Sequence, residues 1–333
     1  MAKTIIDTDY LFLASRVKAL ENSLLSRERM ERMLEAPSPE EAAKVLQECG
    51  YPEMAQVSAQ ALEQVLAEQR QNVFDELYSA APDPNMIDVF KVKYDYHNAK
   101  TILKAAARET DPAPLLMDAG RVSAARMAEA IRDSDLTELP TILQGAVQRS
   151  REVLDTTGDP QLADFVLDQA YFEDMFRLAG DSGSAFLQGY VEISVDAANL
   201  RSVVRTIRMG KSVDFLKGVL FEGGGVDVNR IIGAVTTGSS LEELYATSPL
   251  RDAAEAGQNA LTGGPLTRFE KLTDDAVTGY LADAHNVAFG EAPVIAYLAA
   301  KESEFTAVRI ILSGRMAGLD ADIIRERLRE SYV

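Results

Sequence analysis

The sequence is poor in the residues that most often build disulfides, metal sites and aromatic binding sites. It has one cysteine, Cys49, no tryptophan and two histidines among 333 residues. A single cysteine cannot form an internal disulfide, so the composition suits a reducing cytosolic compartment. Asp7 and Asp9 stand where an export signal has a basic and then an apolar segment. We therefore expect no export signal and a cytoplasmic protein.

The chain also lacks a long apolar segment. Its longest stretch without Asp, Glu, Lys or Arg is Ala256–Thr267, which is rich in Gly and Thr. This stretch is far shorter than the ~20 apolar residues that span a bilayer. The overall composition, 47% hydrophobic and 26% charged, is that of a foldable globular protein. We expect a protein with no transmembrane segment, which is soluble or reaches a membrane only through a partner.

Basic residues are too few to balance the acidic ones, and the formal net charge is −18. Such a charge repels the phosphates of nucleic acids and the headgroups of anionic lipids, so neither is expected as a direct partner. It suits a partner with basic surfaces. A simpler interpretation is that the charge only keeps the protein soluble.

No segment carries a convincing catalytic, nucleotide-binding or metal-binding motif. Gly210-Lys211-Ser212 resembles the end of a phosphate-binding loop, but Arg205 stands where that loop needs its first glycine, and the preceding segment is helical. Gly223-Gly224-Gly225 lacks the spacing of a dinucleotide-binding turn. Neither His97 nor His285 has further ligands at metal-binding spacing. We expect no catalytic residue, no cofactor and no bound metal.

One helical segment recurs three times along the chain. Val92–Ala106, Val195–Ile207 and Ser303–Arg315 share an acid, an Asn three positions later, a cation two positions after that, and then aliphatic residues. The third copy has Ala in the Asn position. The acids are 101 and 108 residues apart, so the repeat has the size of a domain. The three sets are Asp95, Asn98 and Lys100; Asp196, Asn199 and Arg201; and Glu304, Ala307 and Arg309.

In each copy the acid lies within the apolar arc of the helix. A carboxylate that faces a core must be paired or hydrogen-bonded, or it stays protonated. Asn is disfavoured in a helix interior by roughly half a kcal/mol relative to Ala, so Asn98 and Asn199 are expected to have tertiary partners. We interpret these residues as polar contacts that lock three similar units together. The alternative is a solvated helix flank with ordinary i,i+4 pairs.

The sequence predicts an all-α fold, because helix-favouring residues abound and no segment alternates as a strand does. The repeat divides the chain into three similar helical units, which cover residues 1–116, 117–222 and 223–333. Long helices are expected over Asp9–Leu34 and Glu53–Leu77, because apolar residues recur there at helical spacing.

Helix starts recur where the later units begin. Ser123, Asp227 and Asp320 each follow an apolar residue and stand where an N-cap is expected. Ser38, which precedes a proline, is a further expected N-cap. The start at Asp320 has no unit after it. We therefore expect the C-terminal helix, Asp320–Tyr332, to pack against the first unit and close a ring of three.

Segments along the whole chain resemble the C subunit of the V/A-type rotary ATPases, the prokaryotic counterpart of the d subunit of the eukaryotic vacuolar ATPase. The most specific is FKVKYDYHNAKTILKA, which begins at Phe90. The other similar segments occur in the family's order and are Tyr10–Leu20, Asp168–Glu173, Ser194–Leu200 and Lys301–Gly314. Two departures, Ala307 where the family often has Asn and Ala317 near a usually basic position, fall in the third unit and could weaken its contacts.

The resemblance implies a pseudo-threefold funnel of three helical domains and a role without catalysis. The family's protein is a socket between the central shaft, made of the D and F subunits, and the proteolipid ring in the membrane. It turns with them and carries torque between ion flow and ATP synthesis or hydrolysis. For this chain the resemblance therefore implies a cytoplasmic place, peripheral to the membrane through the rotary complex.

Two other functions compete with this interpretation. One is a free-standing helical-repeat adaptor with unrelated partners, although such repeats usually have 30–50 residues. The other is an enzyme, such as one that binds nucleotides. The failed phosphate loop and the absence of a cluster of titratable residues in the sequence argue against it.

Overall fold

The structure is a computed structural model that describes residues 5–54 and 56–333. Within these residues it contains sixteen α-helices, short 3-10 turns and no strand, so the all-α prediction is confirmed. The helices are α1 (Leu11–Leu20), α2 (Arg27–Glu35), α3 (Pro39–Val45), α4 (Ala59–Ala80), α5 (Asn85–Ala107), α6 (Ala124–Asp133), α7 (Thr141–Thr157), α8 (Pro160–Ser182), α9 (Ala185–Arg208), α10 (Val213–Val219), α11 (Val228–Thr237), α12 (Leu241–Leu244), α13 (Arg251–Leu261), α14 (Leu266–Ala282), α15 (Ala292–Met316) and α16 (Ala321–Arg325).

The chain divides into two compact units. The middle unit is Asn85–Ser239, and the terminal unit combines residues 5–84 with Ser240–Val333. The terminal unit is thus built from both ends of the sequence. The division into three units at residues 1–116, 117–222 and 223–333 stays a prediction.

In the middle unit, α8 is the central helix. It packs along α5 on one side and α7 on the other, and it also contacts α9. Leu167, Ala170 and Leu178 lie on its buried faces, and Asp174 is fully buried among them. The recurring helices α5 and α9 therefore both lie against α8.

In the terminal unit, α15 is the central helix. Every residue from Ala292 to Lys301 is buried, so this half of the helix is enclosed on all sides. The helix packs against α1, α2, α3, α4, α14 and α16. A helix that is apolar around its whole circumference is expected only inside a core. Phe305, Val308, Ile311 and Leu312 extend this core toward α2 and α3.

The predicted helix over Asp9–Leu34 is wrong, because the structure has two helices there. Leu24 adopts an extended conformation, with φ −66° and ψ 154°, between the end of α1 and the start of α2. The Ser26 side chain then accepts the N–H of Arg29 and caps α2. Apolar periodicity runs through the break, but a cap residue and a tertiary contact at Leu25 interrupt the backbone.

Two other helix predictions also need correction. The helix expected over Glu53–Leu77 begins later, because the Ser58 side chain caps the backbone N–H of Ala61, and it continues to Ala80. The C-terminal helix expected over Asp320–Tyr332 ends at Arg325, and the Asp320 side chain makes no capping hydrogen bond. The predicted N-caps Ser38, Ser123 and Asp227 are confirmed, because their side chains accept the N–H groups of Glu41, Arg126 and Arg230 respectively.

After α16 the chain makes a turn at residues 326–327 and then lies against α14 without regular secondary structure. The Lys271 ammonium donates to the Leu328 carbonyl at 3.2 Å, and the Glu330 N–H donates to Asp275 at 2.9 Å. The His285 ring stacks on the Tyr332 ring at 4.1 Å. Side chains here make the hydrogen bonds that these backbone groups would make in a helix. The helix therefore need not continue.

Candidate functional site: three buried acid locks

The first recurring acid, Asp95 on α5, is fully buried and binds the segment that leads into α6. Its Oδ1 accepts the Val122 N–H at 3.1 Å, and its Oδ2 accepts the Arg121 Nε–H at 2.6 Å. Burial raises the pKa of Asp95, and Arg121 and the Val122 N–H offset part of that rise. We call Asp95, Asn98, Arg121 and Val122 the first lock.

A second buried carboxylate shares the cation of the first lock. The Arg121 Nη2–H donates to Asp174 Oδ2 at 2.6 Å, so one guanidinium joins α5 to α8 through two acids. Tyr96 and Arg177 also donate to Asp174. A buried ion group of this kind is costly to break, because removing one member leaves a buried charge without compensation.

The second recurring acid, Asp196 on α9, is held by backbone groups. Its Oδ1 accepts the Val226 N–H at 3.0 Å and its Oδ2 accepts the Gly225 N–H at 3.1 Å. Burial raises the pKa of Asp196, and the two N–H groups oppose the rise. Gly225 occupies the position that Arg121 has in the first lock. We call Asp196, Asn199, Gly225 and Val226 the second lock.

The third recurring acid, Glu304 on α15, binds the N-terminal part of the terminal unit. One oxygen accepts the Leu25 N–H at 2.7 Å, and the other accepts the Tyr51 hydroxyl at 2.6 Å. Lys301, one turn earlier and almost fully buried, pairs with the same carboxylate. Burial and the neighbouring Glu304 raise the pKa of Tyr51 well above its usual value. We call Lys301, Glu304, Tyr51 and Leu25 the third lock.

The three acids have one partner in common. Each accepts the N–H of the residue immediately before a helix N-cap: Val122 before Ser123, Val226 before Asp227, and Leu25 before Ser26. A buried carboxylate therefore fixes the point at which α6, α11 and α2 begin. The same interaction occurs at three places that lie 101 and 108 residues apart along the recurring helices.

Asn98 and Asn199 bind the linkers, the segments that lead into α6 and α11. Each binds the residue five positions before the N–H that the acid accepts. Asn98 donates to the Met117 carbonyl at 2.8 Å and accepts the Met117 N–H at 2.9 Å. Asn199 binds both backbone groups of Phe221 in the same way, at 2.8 and 2.7 Å. A primary amide can donate to the C=O and accept from the N–H of the same residue, which neither Asp nor Ala can do. This explains why Asn returns in these two helices.

The third copy needs no amide at this position. The residue five before Leu25 is Leu20, which is the last residue of α1, and the next residue donates its N–H to the Val17 carbonyl. Because this backbone is helical, it supplies its own hydrogen bonds. Ala307 instead packs against the apolar core of the terminal unit. The departure at Ala307 therefore matches a change in its partner segment.

Two glycines leave room for the acids. A Cβ on Gly120 would lie 2.2 Å from Asp95 Oδ1, and a Cβ on Gly224 would lie 2.3 Å from Asp196 Oδ1. Such distances are far inside van der Waals contact, so any side chain would displace the carboxylate. Gly120 and Gly224 each stand two residues before the N–H that the acid accepts. They are as much part of these sites as the acids.

Two of the recurring cations pair with acids outside the three locks. Lys100 pairs with Asp168 of α8 within the middle unit. Arg309 makes a bidentate pair with Glu63 of α4 within the terminal unit, at 2.6 and 2.7 Å. Arg201 is half-buried on α9. Partly exposed ion pairs of this kind contribute little stability, about 0–1 kcal/mol each.

The arrangement can hold backbone but offers nothing to a substrate. All three acids are buried and bound by protein donors. Within the part of the chain that the structure describes, no three His, Cys, Asp or Glu residues are grouped to hold a metal ion. Among the same residues, no helix is long and apolar enough to cross a bilayer.

Several residues of the three locks were not found from the sequence, and neither was Asp174, which shares Arg121 with the first lock. Arg121, Asp174, Tyr51 and Lys301 lie outside the recurring pattern. A signal for Gly120 and its counterpart does exist, because Met117–Ser123 aligns with Phe221–Asp227 at a constant spacing of 104 residues. Comparing the linkers as well as the helices would have revealed it. No such signal exists for Asp174 or Tyr51, which reach their partners only through the tertiary fold.

The side-chain hydrogen bonds of Asn98 and Asn199 predict that the protein loses stability when either amide is removed. Asn98→Ala or Asn199→Ala leaves one linker N–H and one C=O without partners, and each change should cost about 1–3 kcal/mol in urea unfolding. The matched control is Ala307→Asn, which should gain nothing because its partner segment is already helical. A loss below about half a kcal/mol for both variants would show that water replaces the amide.

The close approach of Gly120 to Asp95 and of Gly224 to Asp196 predicts that a side chain at either glycine destabilises the protein. Gly120→Ala and Gly224→Ala should each destabilise the protein by about 2 kcal/mol or more, because the new Cβ displaces a buried carboxylate from its donors. The control is Gly180→Ala, an exposed position inside α8 with open space around the new Cβ. That change should stabilise by about 0.5–1 kcal/mol. Equal effects at all three positions would contradict the steric argument.

A further acid near the first lock predicts a pH dependence. Burial raises the pKa of Asp88 on α5 to about 6, Arg121 opposes the rise, and Asp95 adds to it. Between the ordinary pKa, near 4, and about 6 the folded state holds a proton that the unfolded state releases. Stability therefore falls as the pH rises through this range.

Asp88→Asn removes that dependence, because its amide is neutral at every pH. The variant should be more stable than the parent chain at pH 8, and the difference should shrink toward pH 4.5 in urea melts. An unchanged difference at both pH values would mean that Asp88 is ionised in the folded state throughout.

Comparisons with known proteins identify the family of the chain. Over residues 13–327 the chain matches the family described as ATP synthase (C/AC39) subunit. Its relatives include the C subunit of the V-type sodium ATPase of Enterococcus hirae, 24% identical over 97% of this chain and 99% of that protein. The C subunit of the A-type ATP synthase of Haloferax volcanii is 25% identical over 95% of this chain and 96% of that protein.

A third relative is the C subunit of the A-type ATP synthase of Methanocaldococcus jannaschii, which is 23% identical over 98% of this chain and 88% of that protein. These similarities extend over nearly the whole of each chain. With all three locks inside the matched range, the chain belongs to the ATP synthase (C/AC39) subunit family.

Proposed function

We propose that this chain is the socket of a V/A-type rotary ATPase, seated between the central shaft formed by the D and F subunits and the proteolipid ring in the membrane. Its family membership supports the broader statement, that it is a non-catalytic subunit of a V- or A-type ATPase complex. The finer statement, that it passes torque between shaft and ring, is the proposal. Through the ring it would sit peripherally on the cytoplasmic side of the membrane.

The observation that carries the proposal is the threefold recurrence of one structural interaction. A socket that transmits torque has to resist deformation, and it needs no reactive group. Each buried acid fixes the start of a helix to a recurring helix through a hydrogen bond in a dry environment, where such bonds are strong. These contacts support the predicted division into three similar units.

The charge of the chain supports protein partners over lipid. A net charge of −18 disfavours docking on anionic headgroups and suits basic loops on a partner. Contact with the membrane would then run through the ring. This part of the proposal predicts that contacts with the ring weaken as the salt concentration rises.

The test is binding of the purified chain to the D–F shaft and, separately, to the detergent-solubilised proteolipid ring, measured by native mass spectrometry. We expect a one-to-one complex with each. An unrelated helical protein of similar negative charge is the control, and it should bind neither. A folded chain that binds neither the shaft nor the ring would favour the helical-repeat adaptor with other partners.

A further inference from the structure

The terminal unit carries an exposed apolar surface that no described part of the unit covers. It is formed by the N-terminal segment up to the first turn of α1 and by the loop between α14 and α15. Phe12 is 72% exposed, more than any other large apolar residue whose exposure the structure describes. We call Ile6, Leu11, Phe12, Val287 and Phe289 the apolar patch.

The two segments of the apolar patch lie side by side. The Asp7 carboxylate is packed against Gly290, since a Cβ on that glycine would be 3.5 Å from Asp7 Oδ1. Further along α1, the Lys18 ammonium lies 3.5 Å from the carbonyl oxygens of Ala284 and His285. The two segments therefore lie next to each other at both of these points, so their exposed apolar residues belong to one region of the terminal unit.

The apolar patch has an acidic rim. Asp7, Asp9, Asp283 and Glu291 border it, and the first three are exposed. The sequence has no Lys or Arg between Lys3 and Arg16, and none between Lys271 and Lys301. The basic side chains of α1 are already engaged, since Arg16 pairs with Glu76 and Lys18 with Glu21.

The apolar patch and its acidic rim together indicate which kind of partner would bind there. An anionic lipid surface or a nucleic acid would be repelled by the rim. A second copy of the same face would bring like charges together, which costs binding energy. Exposed apolar groups within such a rim are best covered by a protein segment that brings apolar side chains and positive charge together.

We propose that the apolar patch is a docking surface for a segment of another protein of the complex that presents an apolar side chain flanked by Lys or Arg. Phe12, the most exposed residue of the apolar patch, is its anchor, and the acidic rim sets its specificity. The partner is sought within the rotary complex, so the proposal rests on the proposed function. It adds to that function the face of the chain and the chemistry of the contact.

The experiment places the photo-crosslinker p-benzoylphenylalanine at Phe12 in the full chain within the assembled ATPase complex. Because Phe12 is exposed, the fold should tolerate the change. After irradiation we expect a crosslink to another protein of the complex, at a peptide with Lys or Arg within about three residues of the crosslinked site, identified by mass spectrometry. The same crosslinker at Leu115, 66% exposed in the middle unit, is the positional control and should not yield this peptide.

Charge reversal tests the acidic rim. Asp7→Lys with Asp9→Lys should lower the yield of the Phe12 crosslink by roughly tenfold, because two attractive charge pairs are lost and each reversal adds repulsion. The matched control is Glu152→Lys with Asp155→Lys, two exposed acids on α7 that give the same change in net charge. The control should leave the yield unchanged.

Several results would overturn the proposal. They are crosslinks to lipid, to a second copy of this chain, to its own residues 1–4, or to a segment without basic residues, and equal effects of the two charge reversals. A complex that retains the chain but gives no crosslink at position 12 would overturn the docking surface alone. A chain that does not purify with the other ATPase subunits would overturn the proposed function as well.

Discussion

The structure depends on one recurring constraint. A buried carboxylate on one helix accepts a backbone N–H just before another helix begins. A buried charge is tolerated only where donors replace the water it has lost. The chain meets that requirement in three ways: with a guanidinium at Asp95, with backbone N–H groups alone at Asp196, and with a lysine and a tyrosine at Glu304. The one donor common to all three is the N–H that precedes an N-cap. The geometry of the linker is thus the shared feature, and the charge partner varies around it.

The three sites differ in how far they reach along the chain. Asp95 and Asp196 bind residues 27 and 30 positions away, so these contacts can form between neighbouring parts of the middle unit. Glu304 binds Leu25 across 279 positions. Closing so long a loop costs more conformational entropy than closing a short one, although the cost grows only slowly with length. Lys301 and Tyr51 add donors at the site with the longest reach, and together they join the two sequence segments from which the terminal unit is built.

Much of this could be predicted from the sequence, because the informative features were local or periodic. The all-α fold, the caps at Ser38, Ser123 and Asp227, and the recurring helices all follow from spacing within a few turns. The break at Leu24 was missed because apolar periodicity continues through it, although the Ser26 cap and the hydrogen bond from Leu25 N–H to Glu304 interrupt the helix. Asp174 and Tyr51 were missed because they reach their partners only through the tertiary fold. The predicted length of the C-terminal helix was wrong, because side chains of α14 make hydrogen bonds to the backbone of the last residues in place of helical ones.

Ala307 faces a helical segment that needs no amide partner. This indicates that the residue type at each recurring position follows the hydrogen-bonding needs of the backbone it faces. Where the linker is irregular, as before Val122 and Val226, an asparagine binds the N–H and the C=O of one linker residue, which would otherwise lack partners. Where the preceding segment is helical, as before Leu25, the position holds a residue that packs into the core. A catalytic set would instead be expected to keep its reactive group and vary its surroundings. Polar residues that follow the needs of the local backbone, and that water and substrates cannot reach, are what a rigid, non-catalytic subunit requires.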